Sequence, residues 1–522
     1  MPKHWRLHPS HFCAMMAVLL APAMAWSDEG LNTRDLRAKL RVIEARAPED
    51  ALGAQDVPAL LAELGLKENL QPIAKTAIGF GGAGGLFSLQ SAKPAAAQPG
   101  ITAQTGPVDV STTNFRLMLA TLAQSYTGVN NLSVITAQGA RGPIALSVTS
   151  GTVTLADLQS FSHANGFAPR ADGTLTAPVV LWPDATLRLG TGERLGMARD
   201  SGAFLMSMGR IEADGALIES VGPENAYEPG FMPFITVLAG GSISLKNATL
   251  RGLGFGRTIK FAGLTVAGNP MMPTKQEVVI QGTLFDQIKT VTIAGAPDAE
   301  ISGNTFQNAR NVALNVMGSP RTKVQENLFR GGAPTNAIRI DLGSDRVEIS
   351  DNLFMAGSRV AVLINGGSNH VLVRDNLIWR RDGAGIKFFG ALCGRAEGNI
   401  LIDNAQKGIE VRKSDGTVVL DNVFAGNRSA GVWVSAQADG ARTAVRDNTF
   451  EGNGSGLAAA TGAEIWISGN NFKRQLPKLL DGDIASLTTS VVRDLSGSGP
   501  LRLVRGASET HPADAPLCGG DA

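Results

Sequence analysis

The chain is 522 residues long and 43% hydrophobic, with 47 Lys and Arg against 46 Asp and Glu. So near-neutral a balance excludes a protein that gathers nucleic acid by its overall field, and any polyanion must be held by a local cluster of cations. The length allows two or three domains, or one domain built from repeats.

Residues 1–25 pass from Lys3 and Arg6 through the apolar "FCAMMAVLLAPAMA" to Ala23-Met24-Ala25. This is the three-part pattern of a secretory signal peptide with a small-x-small cleavage site. Cleavage starts the mature chain at Trp26 and leaves 45 basic against 46 acidic residues. The apolar run is shorter than the roughly 20 residues a bilayer requires and no later stretch qualifies, so no membrane span is expected.

Residues 26–100 form a helical segment followed by a linker. In "TRDLRAKLRVIEA" (33–45) Leu36, Leu40 and Ile43 share one helical face, and Pro58 opens a second short helix. Residues 79–100 are rich in Gly, Ala and Pro, the composition of a linker. Residues 101–173 read as a small α+β region. Its helices are expected at 114–124 and 154–165, the second opened by a Thr154/Asp157 capping box, with strands at "LSVITA" and "PIALSV".

From residue 174 to 475 the hydrophobic period is 2 and helix signals almost vanish. Within this stretch Asn304, Asn327, Asn352, Asn376, Asn399, Asn422, Asn448 and Asn470 recur every 22–26 residues. Leucine-rich repeats need a helix per repeat and propeller blades need about 40 residues, so neither fits. A right-handed parallel β-helix does, because each coil stacks on the next at about 4.8 Å and like side chains lie over like. The asparagines then form a hydrogen-bonded ladder. Two residues on, Phe306, Phe329, Phe354, Ile378, Leu401, Phe424, Phe450 and Phe472 form an internal column. About ten coils and a rod of about 50 Å follow. The fold class is therefore all-β, preceded by the small helical and α+β region and followed by a tail, residues 476–522.

About ten residues past each Asn comes a second strand. Ile338/Ile340, Val362/Ile364, Ile386/Phe388, Ile409/Val411 and Val432/Val434 are expected to point inward there. The outward columns then read Ala313, Arg339, Leu363, Lys387, Glu410, Trp433 and, beside them, Asn315, Asp341, Asn365, Phe389, Arg412, Ser435. Such a face is either a solvated surface of offsetting charges or a groove for an extended acidic sugar chain, for which exposed Phe389 and Trp433 argue.

Removal of a proton beside a carboxylate needs a cation or amide on that carboxylate and a base at the carbon. Arg339, Lys387 and Arg412 fit the first role. The usual bases fit poorly: Tyr126 and Tyr227 precede the regular coils and His370 falls on a different strand. That leaves Lys387, with its pKa lowered by neighbouring cations, or Asp341 and Glu410. Asp341 and Glu410 could also be a glycosidase pair, although three coils, about 14 Å, separate them. Cys393 and Cys518, the cysteines left after cleavage, could tie the tail to the body or stay free thiols. No metal site or cofactor is expected.

Residues 145–475 resemble the periplasmic mannuronan C5-epimerases of bacterial alginate biosynthesis. The likeness is carried by "VVLWPDATLRLG", "DSGAFLMSMGRIEADGALIE", "PFITVLAGGSISLKNATLRGLGF", the coils, "GIEVRKSDG" and "AGVWVS", in that order. It implies a right-handed β-helix with a polyuronate groove, in the periplasm, working on a polymer in transit with other secretion proteins. In that family an Asp-Pro-His-Asp motif carries the catalytic His. The aligned stretch here is "NVALNVMGS" (311–319), with Asn315 at the place of the His, and an amide binds a carboxylate but takes no proton at neutral pH. Arg412 matches an outward Arg of the family, while Glu410 stands where a basic residue is expected. Three functions are compatible with this set. One is epimerisation of an acidic exopolysaccharide, with Asn315, Asp341 and Lys387 at the reacting sugar and Arg339, Glu410, Arg412, Phe389 and Trp433 binding it. The others are non-catalytic escort of the polymer and lyase cleavage.

Overall fold

The computed structural model describes residues 32–46, 57–64, 107–126, 129–238, 240–268, 276–504, 507–510 and 517–518. Residues 1–25, expected to be a signal peptide, and the Gly/Ala/Pro-rich stretch 79–100, expected to be a linker, lie outside these residues. From residue 179 the chain winds into a right-handed β-solenoid whose coils lay strands on three faces. In the coil at 338–354, Ile338–Asp341 lies on the first face, Glu348–Ser350 on the second and Leu353–Phe354 on the third. The third face is a sheet of 12 parallel strands, so there are twelve coils rather than about ten.

Stacking puts like over like. The ring column runs in strict register, Phe306 on Phe329 on Phe354 on Ile378 on Leu401 on Phe424. Adjacent rings stack with centroids 4.8 Å apart, as in Phe306–Phe329. At the corner between the second and third faces each Asn donates from Nδ2 to Oδ1 of the next, from Asn304 to Asn327 at 2.9 Å through Asn448 to Asn470 at 3.0 Å. The residue before the Asn turns that corner in the left-handed region: Asp351, Asp375, Asp421 and Asp447 have φ of 53–56°, which Asp tolerates because its short side chain bonds locally. Gly398 takes the same corner with φ of 64°, and a Cβ there would lie 2.4 Å from Asp375 Oδ1, which would have to shift to admit it.

Two further ladders occupy the other corners. Asn404, Asn427, Asn453 and Gln475 are linked at 2.8–3.0 Å between the third and first faces. Between the first and second, the Ser319 and Ser344 backbone N–H groups each donate to the Oγ of the serine one coil on, Ser344 and Ser368, at 3.1 Å. The ladder residues thus pair their own polar groups and backbone N–H groups of neighbouring coils where the chain turns.

Both ends are closed. Helix α5 (Leu155–Ala164) follows β2 (Ile144–Val153), and its Leu155 and Leu158 enter the solenoid core. Its Thr154/Asp157 capping box is present. β2 pairs parallel with β3 (Val179–Leu189), which starts the stack. At the far end Ile484, Leu487 and Val491 close the core, and an antiparallel hairpin, Leu501–Val504 with Ala507–Thr510, pairs with Glu464–Ser468 of the second face. "LSVITA", expected as a strand, forms α4 (Asn131–Thr136). It packs with α3 (Arg116–Ser125) and the Phe204, Phe234 and Phe261 rings over the outer side of the first face. Local β-branched propensity yields there to burial of Val134.

Helices α1 (Thr33–Arg46) and α2 (Val57–Glu63) lie across the outside of the third face. Leu36, Leu40, Ile43 and Leu60 pack on Leu353, Leu377, Trp379 and Ile402. Arg37 binds Asp403 at 3.0 Å and Arg380 binds Glu44 at 2.6 Å. Cys393 and Cys518 form a disulfide, Cα–Cα 6.0 Å, that closes the alternative the sequence leaves open. No helix among the described residues is long and apolar enough to cross a membrane.

Asn376 accepts from Asn352 and donates to Asn399, Ile349 and Arg374, all inside the fold. Asn376→Ala orphans both neighbours and is expected to lower the unfolding free energy by about 3 kcal/mol or more. A loss below about 0.5 kcal/mol in denaturant titration would show that the ladder is decorative.

Candidate functional site

The outer side of the first face is covered in its early coils. Thr236 and Thr265 donate to the carbonyls of Lys260 and Ile259, which lie across them. Tyr126, at the end of α3, reaches the same face and donates to Gly268 O at 2.5 Å and Ala294 O at 3.1 Å. Burial pushes its pKa up to about 12, so it stays a neutral donor. Tyr126 is distant from the coils in sequence yet sits one coil from Met317, because Ala294 pairs with Met317.

Beyond this cover one outward column is continuous: Asn315 on Arg339, Leu363, Lys387, Glu410 and Trp433. This corrects the column read from the sequence, which set Ala313 beside Arg339 and Asn315 beside Asp341. Met317 pairs with Asp341 instead. A shift of two residues keeps every side chain on its face, so the hydrophobic alternation cannot detect it.

Two polar groups result. In the first, Arg339 NH2 lies 2.5 Å from Asp341 Oδ2. Asn315 is 9% exposed, its Oδ1 has no protein partner, and Arg339 Nε is likewise buried without one. Three coils on from Arg339, about 14 Å by strand spacing, Glu410 is 5% exposed and bridges Lys387 at 3.2 Å and Lys407 at 3.5 Å. The nearest charge to Lys387 is therefore a carboxylate, where the sequence reading set it among cations. Asp341 and Glu410 do lie three coils apart, the column beside Asp341 passing through Phe389, which pairs with Arg412.

Aromatic faces flank the second group. Lys387 and Lys413 lie 5.6 and 5.8 Å from the Phe389 ring centre, and Lys407 lies 5.2 Å from that of Trp433. A groove of about 440 Å³ opens here, lined by Lys387, Phe389, Glu410, Asn365, Arg359 and Asp382 among others. Arg412 is exposed beyond its lining, on the column of Phe389 and Ser435. Sequence reasoning missed Lys407, Lys413, Arg359 and Asp382. Arg359, Lys413 and Asp382 sit at the corners, and Lys407 opens its strand at the corner, where period-2 counting stops. The arrangement can hold a carboxylate between lysines and stack a sugar ring on Phe389 or Trp433.

Two family models match parts of the chain: "Periplasmic copper-binding protein (NosD)" over residues 334–478 and "Right handed beta helix region" over 271–393. Copper favours thiolate, thioether and imidazole donors. Residues 334–478 hold one Cys, one Met and one His, Cys393, Met355 and His370, with Cys393 in the disulfide. Among the described residues no group of three or more His, Cys, Asp or Glu could hold a metal. The donor set does not fit copper. No curated protein sequence matches the chain significantly. Among solved structures, the periplasmic alginate epimerase AlgG is similar with a TM-score of 0.55 at 17% identity, covering 73% of this chain and 94% of that one. A double mutant of the same enzyme gives 0.58 at 18%, covering 77% and 100%. At these identities what is shared is the right-handed β-helix fold.

Proposed function

We propose that the protein binds an acidic bacterial exopolysaccharide along the open part of the first face, outside the cytoplasm. The observation that carries this reading is Glu410 held between Lys387 and Lys407, with the Phe389 and Trp433 rings on either side. Lysines give the carboxylates of a uronate chain their counter-charge, the rings give its sugar faces a platform, and Glu410 keeps the two ammonium groups in place when no polymer is bound. The Cys393–Cys518 disulfide supports an oxidising compartment, as does likeness to proteins described as periplasmic. The periplasm, with other polymer-secretion proteins as neighbours, is the reading we adopt.

A second reading, modification of the polymer, is favoured by Asn315, Arg339 and Asp341. An amide and a guanidinium side by side would neutralise a substrate carboxylate, and Asp341 is the carboxylate at hand for the C5 proton. Delivery of a proton from water to the opposite face of the resulting carbanion gives an epimer, and departure of the 4-O-linked sugar with uptake of a proton at its oxygen gives an unsaturated end.

Incubation with polymannuronate, followed by proton NMR, separates these readings. Escort without chemistry predicts an unchanged spectrum and binding that weakens as salt rises. Guluronate signals lost in Arg339→Ala would establish epimerisation at this site, and vinyl signals would establish a lyase. Absence of binding to any polyuronate sinks both readings.

Glu410 competes with bound carboxylates for its two lysines. Glu410→Gln is expected to tighten polyuronate binding severalfold, whereas Lys407→Ala weakens it about tenfold. Calorimetric titration showing both changes of the same sign would remove Glu410 from the groove's working parts.

A further inference from the structure

A second cavity, about 680 Å³ in volume, lies between the C-terminal end of α1 and the corner joining the third and first faces. Its cations are Arg330, Arg380, Arg381 and Arg428. Its carboxylates are Glu44, Asp382 and Asp403, and two of these are engaged, Glu44 by Arg380 and Asp403 by Arg37. Counting Arg37, five guanidinium groups face three carboxylates.

Arg381 stands at the head of the second asparagine ladder, its backbone N–H donating to Asn404 Oδ1 at 3.0 Å. The coil above supplies Gly357 at that place, where a Cβ would meet the guanidinium at 2.0 Å, so the glycine makes the room in which the charge sits. Arg381 is 2% exposed and donates to the carbonyls of Met355 and Ser358. Burial pushes it down to about 10, with Asp382 the one charge opposing that shift. Arg428 is exposed and has no side-chain partner among the described residues. At Gly332, also in the lining, a side chain would meet nothing within 4 Å, so the wall there opens on the cavity. Asp382 lines both this cavity and the groove of the first face, which makes the two spaces neighbours around one corner.

We infer that this cavity is a second subsite for a carboxylate-bearing sugar of the same acidic polymer, with Arg381 and Arg428 on the carboxylate and Asp382 accepting from a sugar hydroxyl at the shared wall. The inference rests on the polysaccharide reading of the groove and extends it around the corner to the helical cover. Guanidinium groups pair with carboxylates through two parallel hydrogen bonds, and a cavity of this size is in the range of ordinary ligand sites.

The test is calorimetric titration of the full chain with a mannuronate hexamer, a neutral cello-hexaose and inorganic phosphate. Arg428→Ala removes a surface cation, and Gly332→Glu places a carboxylate in open space; neither disturbs the core, so unaltered melting is the folding control. Each is expected to weaken hexamer binding about tenfold, and Lys387→Ala in the groove adds an independent loss. If both cavity variants bind like the parent while Lys387→Ala loses affinity, the cavity is no subsite and the groove stands. If Lys387→Ala changes nothing while the cavity variants lose affinity, the cavity stands and the groove reading falls. Equal binding of cello-hexaose, or phosphate binding lost in Arg428→Ala with hexamer binding unchanged, overturns a sugar-carboxylate site.

Discussion

Parallel coils stacked at the spacing of one β-strand force every side chain to lie on its counterpart one repeat away, and most of this molecule follows from that. A buried polar residue in such a stack is costly unless its neighbours are polar too, so asparagine appears as an uninterrupted ladder. Rings are favoured for the complementary reason: at 4.8 Å they stack face to face over long columns. The three corners carry three ladders because the chain must turn there and leave backbone groups to be satisfied.

Function belongs where the stack stops repeating itself. On the open first face the succession Asn315, Arg339, Leu363, Lys387, Glu410, Trp433 changes character at every coil. Nothing in the scaffold requires this, since the inward residues of the same strands are uniformly aliphatic or aromatic. Adjacent coils present different chemistry at fixed spacing, which is the property that the proposed binding of a linear polymer draws on. Chain elements folded back from outside the coils then decide how much of that surface is open.

The Asn–Phe repeat was legible from sequence, and with it the fold, because both residues are imposed by neighbours at a constant offset. The outward column of the first face was legible from Arg339 onward but not at Asn315, since the period-2 pattern is blind to a shift of two. The corner residues Lys407 and Arg359 were invisible for a related reason: a turn has no alternation to count. The lateral helices did leave a signal. In "DNLF" and "DNLIW" the residues flanking the inward Phe354 and Ile378 are apolar as well, so those strands are buried on both sides. Which element covers them is a tertiary fact, as is the closeness of Cys393 and Cys518, which are 125 residues apart.

The two helices lying across the third face have a further consequence. A bare solenoid is close to one-dimensional: each coil touches only its neighbours, and coils can be lost singly from either end. Helices α1 and α2 contact residues from Leu328 to Ala425, bridging successive coils at once. They convert a string of weakly coupled units into a block that must open together, and the stretch so locked is the one whose other side carries Lys387 and Glu410. The clamp therefore fixes the spacing of the charged positions along the groove, much as the back of a comb fixes its teeth.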